Sequence, residues 1–197
     1  MFQWVSGVME SANWAGIAFL MFLENVFPPI PSEIIMPLAG YLASQGKMSL
    51  VGAIIAGTIG SVLGSLPLYY AGRKLGHNGA RKWAEKYGRW LTVSPEDIDK
   101  SREWMDKHGA FALCLGRLVP GVRSLIALPA GVDEISPAVF IGYTALGSAI
   151  WSGLLAGAGY GLGANFKNVD KWLSPLSYVV LALIVALYIY RFVKQSR

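Results

Sequence analysis

The chain has 197 residues, of which 54% are hydrophobic and only 15% charged, with 23 glycines and a mean hydropathy of +0.44. An average soluble domain carries about 25% charge, so a soluble chain this small could not cover its own core with polar surface; a secreted disulfide scaffold and a disordered tail are excluded with it. The isoelectric point near 9.4 would suit a nucleic-acid module numerically, but the basic residues do not form a duplex-reading face, so nucleic acid is not an expected partner.

A single cysteine, Cys114, permits neither an internal disulfide nor a thiolate metal site and reads as a small buried hydrophobe. His77 and His108 have no carboxylate or second histidine at ligand spacing. No metal and no cofactor are expected.

Taken in chain order, residues 11–23 are apolar and end at Glu24, with no Lys or Arg before them as a cleavable signal would need. The expectation is a first, retained span over about 10–27, with Glu24 near its outer end. Segment 28–46 is apolar but broken by Pro28, Pro29, Pro31 and Pro37 around Glu33. Segment 48–72 is free of charge and long enough to cross a hydrocarbon core of about 30 Å.

Residues 73–108 form the one long water-soluble stretch, with 9 of the 17 basic and 6 of the 12 acidic residues. Ser94 followed by Pro95-Glu96-Asp97 reads as a helix start. Trp83, Tyr87 and Trp90 mark a helix face suited to a membrane surface. Segment 109–132 is again apolar and broken, by Pro120, Gly121 and Pro129 around Arg117 and Arg123. A helix is expected over 137–162, opened by Ser136-Pro137, and a final span over 175–191.

Broken backbone at membrane depth is tolerated only where protein or a water-filled cavity satisfies its polar groups. Segments 28–46 and 109–132 therefore read as re-entrant hairpins. Placing the basic stretch 73–108 inside puts hairpin 28–46 on the outer face and hairpin 109–132 on the inner face, with both termini cytoplasmic.

The two units also repeat. Pro37-Leu-Ala-Gly40 is echoed by Pro129-Ala-Gly131, and Gly60, Ser61, Ala71, Gly72, Leu75 and Gly76 recur as Gly147, Ser148, Ala158, Gly159, Leu162 and Gly163 at a constant offset of 87. The expected fold is an all-α integral membrane protein: an inverted repeat of re-entrant hairpin plus transmembrane helix, with additional N- and C-terminal spans and a cytoplasmic amphipathic connection. Inverted repeats with broken helices meeting at the midplane are a transporter architecture. Small residues at four-residue spacing allow close helix packing and leave a homodimer open.

Glu24, Glu33, Arg117 and Arg123 stand inside otherwise apolar sequence. A charge near the bilayer centre costs at least about 2.5–3.5 kcal/mol, so either they neutralise one another as structural ion pairs or they form a site. Arginine keeps its charge and offers a planar fork of donors suited to phosphate oxygens. A carboxylate in a low-dielectric setting resists ionisation, so Glu24 and Glu33 are candidates to take up and release protons. The sequence holds no HExxH, GxSxG or P-loop, so an enzyme is not expected.

Phe22-Leu-Glu24-Asn25, Pro28-Pro-Ile-Pro-Ser-Glu33, Gly116-Arg-Leu-Val-Pro-Gly-Val-Arg123 and Ala130-Gly131 together resemble the DedA family of bacterial inner-membrane proteins, over about 18–163. That family is similar in turn to the eukaryotic VTT-domain lipid scramblases. The resemblance implies two re-entrant hairpins in an inverted repeat and lipid translocation, notably return of undecaprenyl phosphate to the cytoplasmic leaflet. It places Glu24, Glu33, Arg117 and Arg123 where the family's essential charges fall; some relatives carry Asp at the Glu33 position. The expected partners are a lipid phosphate, undecaprenyl phosphate or a phospholipid, and protons or another coupling ion. The rival expectations are a proton-coupled antiporter for small ions or drugs, a general phospholipid scramblase, and a non-transporting scaffold.

Overall fold

The computed structural model describes residues 2–26, 32–91, 99, 103, 105, 107–118, 123 and 126–163. The expected final span 175–191, the helix start at Ser94, and Pro28, Pro29, Pro31, Pro120 and Gly121 lie outside them. The described residues form helices and turns and no strand. The helices are α1 (Phe2–Val26), α2 (Ser32–Ser44), α3 (Leu50–Leu91), α4 (Phe111–Arg117), α5 (Ala127–Val132) and α6 (Pro137–Leu162).

Two of them are long and apolar enough to cross a membrane, Leu50–Lys82 within α3 and Pro137–Leu162. Both keep large apolar side chains exposed at helical spacing: Val51, Ile55, Ile59 and Leu63 on α3, and Leu146, Ile150 and Leu154 on α6. A contiguous apolar face of this kind is unfavourable in water and suited to lipid. Ser136 caps α6, its hydroxyl accepting from the Val139 N–H, and Pro137 stands where a missing N–H costs nothing. α3 bends at Gly76, whose φ of 61° suits glycine, and Arg81 beyond the bend holds Asp99 at 3.0 Å.

The expected first span over about 10–27 overlaps α1. α1 is interrupted at Asn13, whose φ of 49° lies in the left-handed region. Asparagine tolerates that region better than most residues. Residues 14–26 therefore form a leg about 20 Å long at 1.5 Å per residue, short of a hydrocarbon core of about 30 Å. This leg runs in the same direction as α3: Gly52 lies against Trp14, Gly60 against Ala18 and Gly64 against Phe22. A span crossing opposite to α3 would be antiparallel to it.

Residues 14–26 and α3 thus run parallel and start at the same end of the helix pair. Segment 28–46 is described from Ser32 onward. Its described part is the single helix α2, with Pro37 inside it. α2 returns antiparallel to α1: Glu24 meets Ser32 at one end, and Asn13 and Leu42 line one small cavity at the other. Pro129, in the second broken segment, belongs to a helix. It sits in the first turn of α5, where its absent N–H would have no intrahelical partner in any case.

The joints between helices are backbone contacts. A side chain at Gly40 would run into the Ala156 carbonyl, and one at Gly159 into the Pro37 carbonyl, so α2 lies directly on α6. The same relation joins α5 to α3, where Gly131 meets the Tyr69 carbonyl and Gly72 the Leu128 carbonyl. Each half of the chain thereby packs its short helix onto the long helix of the other half. Around the second joint, Tyr69 is fully buried, stacks on Phe140 at 4.3 Å, donates to the Ile135 carbonyl and accepts from Arg73 at 2.9 Å.

Candidate functional site

Three of the four singled-out charges are buried: Glu24 and Arg117 are 3% exposed and Arg123 is 9% exposed. Arg117 closes the last turn of α4. Gly147 lets the α4 backbone approach α6, with Cys114 and the Arg117 Cβ against the space a side chain would fill. That approach sets Arg117 beside Ser148, to whose hydroxyl Nη1 donates at 3.2 Å. Nε and Nη2 of Arg117 have no hydrogen-bond partner among the described residues.

Arg123 lies in the connection between α4 and α5 and forms an ion pair with Glu24. Its guanidinium also stands 6.0 Å from the centroid of the Trp151 ring, at the outer reach of a cation–π contact. Ser148 and Trp151 are three residues apart on α6, which places them on one helix face. The two arginines therefore converge on neighbouring positions of the same helix.

Glu24 is fixed from its own side as well. The Ser32 N–H, at the start of α2, donates to its Oε1 at 2.9 Å. The Ser32 hydroxyl in turn accepts from the Trp151 indole at 3.3 Å. Asn25 donates its amide to the Met21 carbonyl at 2.9 Å, and among the described residues its Oδ1 and the Oε2 of Glu24 have no hydrogen-bond partner. An unsatisfied buried polar atom costs about 1–3 kcal/mol, so a cluster of them marks a place built for something more than packing.

Glu33 stands apart from this cluster. It is half-buried in the first turn of α2, and among the described residues it is not within ion-pair distance of either arginine. Glu24 and Arg123 thus form an ion pair, while Arg117 is buried with no carboxylate within ion-pair distance among the described residues. A buried guanidinium with an open Nε–Nη2 edge beside a second guanidinium can take an oxyanion in bidentate fashion.

Sequence reasoning passed over Ser32, Ser148 and Trp151 as site members. The offset of 87 already contained Ser148, paired with Ser61, and extends to Ser65 and Ser152. All four hydroxyls are buried. Repeated serines inside charge-free spans were the available signal. For Trp151 no local signal existed.

The VTT domain family profile matches residues 30–161. An "Alkaline phosphatase-like protein" of Lactococcus lactis subsp. lactis is 40% identical over 183 residues, 92% of this chain and 86% of the relative. "Undecaprenyl phosphate transporter A" of Bacillus subtilis is 32% identical, with 96% and 91% covered, and its namesake from Staphylococcus aureus is 30% identical, with 99% and 98% covered. No solved structure matches the chain. Matched over most of its length by that profile and near end to end by those relatives, the chain belongs to the VTT domain family, the DedA family whose charged motifs it carries, and is a membrane protein.

Proposed function

We propose that the chain carries undecaprenyl phosphate between the leaflets of the bacterial cytoplasmic membrane, returning the carrier lipid to the inner face. The observation that carries this reading is the buried Arg117, with an open donor edge one turn along α6 from the contact of Arg123. Two relatives named for undecaprenyl phosphate transport, similar over nearly their whole length, support the substrate. The lipid phosphate engages Arg117 and Arg123 while the polyprenyl tail stays in the bilayer beside α3 and α6. Glu24 and Glu33 take up and release the coupling protons.

In this reading α1 beyond Asn13 and α2 are the two legs of one re-entrant hairpin, and α4 and α5 are the legs of the other. Exchange of short helices at the Gly40–Gly159 and Gly131–Gly72 joints supports an inverted repeat. So does a second internal match: Leu23, Pro28, Ser32, Ile34 and Pro37 recur as Leu115, Pro120, Ser124, Ile126 and Pro129 at an offset of 92. With 73–108 in the cytoplasm, the first hairpin enters from outside and the second from inside. Rocking of the hairpins about their glycine joints exposes the arginines to each face in turn.

The test is a proteoliposome assay that follows the lipid phosphate between leaflets. Transport that persists undiminished in Arg117→Ala and Arg123→Ala would remove the site. The Lactococcus relative's name raises a second reading, hydrolysis of a phosphate ester at the same guanidiniums. Release of inorganic phosphate in that assay, instead of movement of intact lipid, would favour it.

A further inference from the structure

Arg117 and Arg123 differ in what already holds them. Arg123 belongs to a closed ring of four residues. It pairs with Glu24, Glu24 accepts from the Ser32 N–H, the Ser32 hydroxyl accepts from Trp151, and the Trp151 ring faces Arg123. The ring ties both legs of the first hairpin, the tip of the second and the long helix α6 into one circuit. Arg117 stands outside it. Ser148 holds one of its nitrogens, and the adjacent Nε and Nη2, the pair that grips an oxyanion bidentately, are buried and unpartnered among the described residues.

We infer that Arg117 is the standing anion site and Arg123 a second, latched one, so that the Glu24–Ser32–Trp151–Arg123 ring selects phosphomonoester headgroups over phosphodiesters. The argument is one of charge. Arg117, Arg123 and Glu24 together carry one net positive charge. Glu33, half-buried at the start of α2, forms no ion pair with either arginine among the described residues.

A phosphodiester carries a single negative charge. It is balanced by Arg117 alone and leaves the latch shut. A phosphomonoester carries about −1.5 to −2 at neutral pH, and Arg117 alone cannot balance it. Its remaining charge competes with Glu24 for Arg123, which reaches the neighbouring position on the same face of α6. The Ser32 N–H gives the displaced Glu24 carboxylate a donor to rest on, so opening the latch does not strand a bare charge in a dry site. Trp151 is a positioning residue here: its N–H anchors Ser32 and its face receives Arg123.

This inference rests on the lipid-phosphate reading above and goes beyond it in assigning selectivity. The experiment compares dioleoyl phosphatidic acid, a phosphomonoester, with dioleoyl phosphatidylglycerol, a phosphodiester with the same tails. Each is titrated at neutral pH against the full chain in phosphatidylcholine nanodiscs. The wild type is expected to prefer phosphatidic acid by about tenfold. Arg123→Gln should remove that preference by weakening phosphatidic acid alone. Glu24→Gln should narrow it by another route, strengthening both lipids but phosphatidylglycerol more, since Arg123 is then open to it as well. Trp151→Phe keeps all four charges and the aromatic face but not the N–H, and should narrow the preference in the same direction as Glu24→Gln.

Equal weakening of both lipids by Arg123→Gln, or an unchanged ratio in both Glu24→Gln and Trp151→Phe, would overturn the latch. A wild type that transports undecaprenyl phosphate yet binds the two test lipids equally would sink this inference and leave the transporter reading standing. A wild type that binds neither and transports nothing would sink the reading itself.

Discussion

Gly40 and Gly159 together bring α2 onto α6: a side chain on the first would enter the Ala156 carbonyl, and one on the second the Pro37 carbonyl. No flexible side chain lies between them to give way, so the joint of α2 on α6 tolerates only glycine. Gly40→Val or Gly159→Val is expected to destabilise the protein by about 1–3 kcal/mol or more through overpacking. Thermal unfolding in detergent, read beside a Gly153→Ala control at a position open to its surroundings, checks this. A midpoint for Gly40→Val equal to that of the control would contradict the close approach.

The contact of Arg117 with Ser148 supports a second expectation. Ser148 uses its hydroxyl to orient a buried guanidinium, and a hydrogen bond to a charged group contributes about 1.5–3 kcal/mol. Ser148→Ala should therefore weaken lipid-phosphate binding by about 10- to 100-fold. Ser148→Thr, which retains the hydroxyl, should recover most of it. Arg117→Lys should fall with the alanine variant, because an ammonium cannot present the two parallel donors of the Nε–Nη2 edge. Equal binding by wild type and Ser148→Ala would show that Arg117 is positioned by packing alone.

The membrane character of the chain and its candidate charges were legible without coordinates, because both follow from where charge is missing. Residues 50–72 of α3 and all 26 residues of α6 contain no charge, so lipid is their natural solvent, and each buried charge is an exception that hydropathy exposes at once. The path of the N-terminus was not legible in the same way. Residues 14–26 are as apolar as a true span, and only the left-handed Asn13 shortens them into a leg. A lone asparagine in an apolar run gives no sign of which backbone region it will occupy. The Arg123–Glu24 pair was foreshadowed as a choice between salt bridge and site. That Arg117 would be left over depended on α4 ending where Gly147 admits it to α6, a tertiary fact with no local signature.

The parallel run of α1 beside α3 can be read directly by labelling. Single cysteines replacing Gly46, between α2 and α3, and Glu85, beyond the bend at Gly76, are compared in intact cells against a Cys114→Ala background. A membrane-impermeant maleimide should reach position 46 from outside and position 85 only after permeabilisation. A cysteine replacing Asn13 should behave like position 46, since the N-terminal leg and α3 start on the same side. Labelling of position 13 in the pattern of position 85 would show a full first crossing instead.

Exchanging the two partners of the Glu24–Arg123 pair separates a structural role from a functional one. Removing either partner alone leaves the other buried and uncompensated, which costs about 3–5 kcal/mol. Glu24→Gln and Arg123→Gln should each unfold more readily than the wild type. The double exchange Glu24→Arg with Arg123→Glu restores opposite charges at the same depth and should recover much of that stability in thermal unfolding. It also takes the Ser32 N–H away from a carboxylate and turns a guanidinium toward a donor, so recovery should stop short of the wild type. Transport should not recover with it, because a carboxylate would then stand beside Arg117 where a phosphate needs a second guanidinium. Full transport by the exchanged protein would mean that the pair serves only to hold the first hairpin against the second.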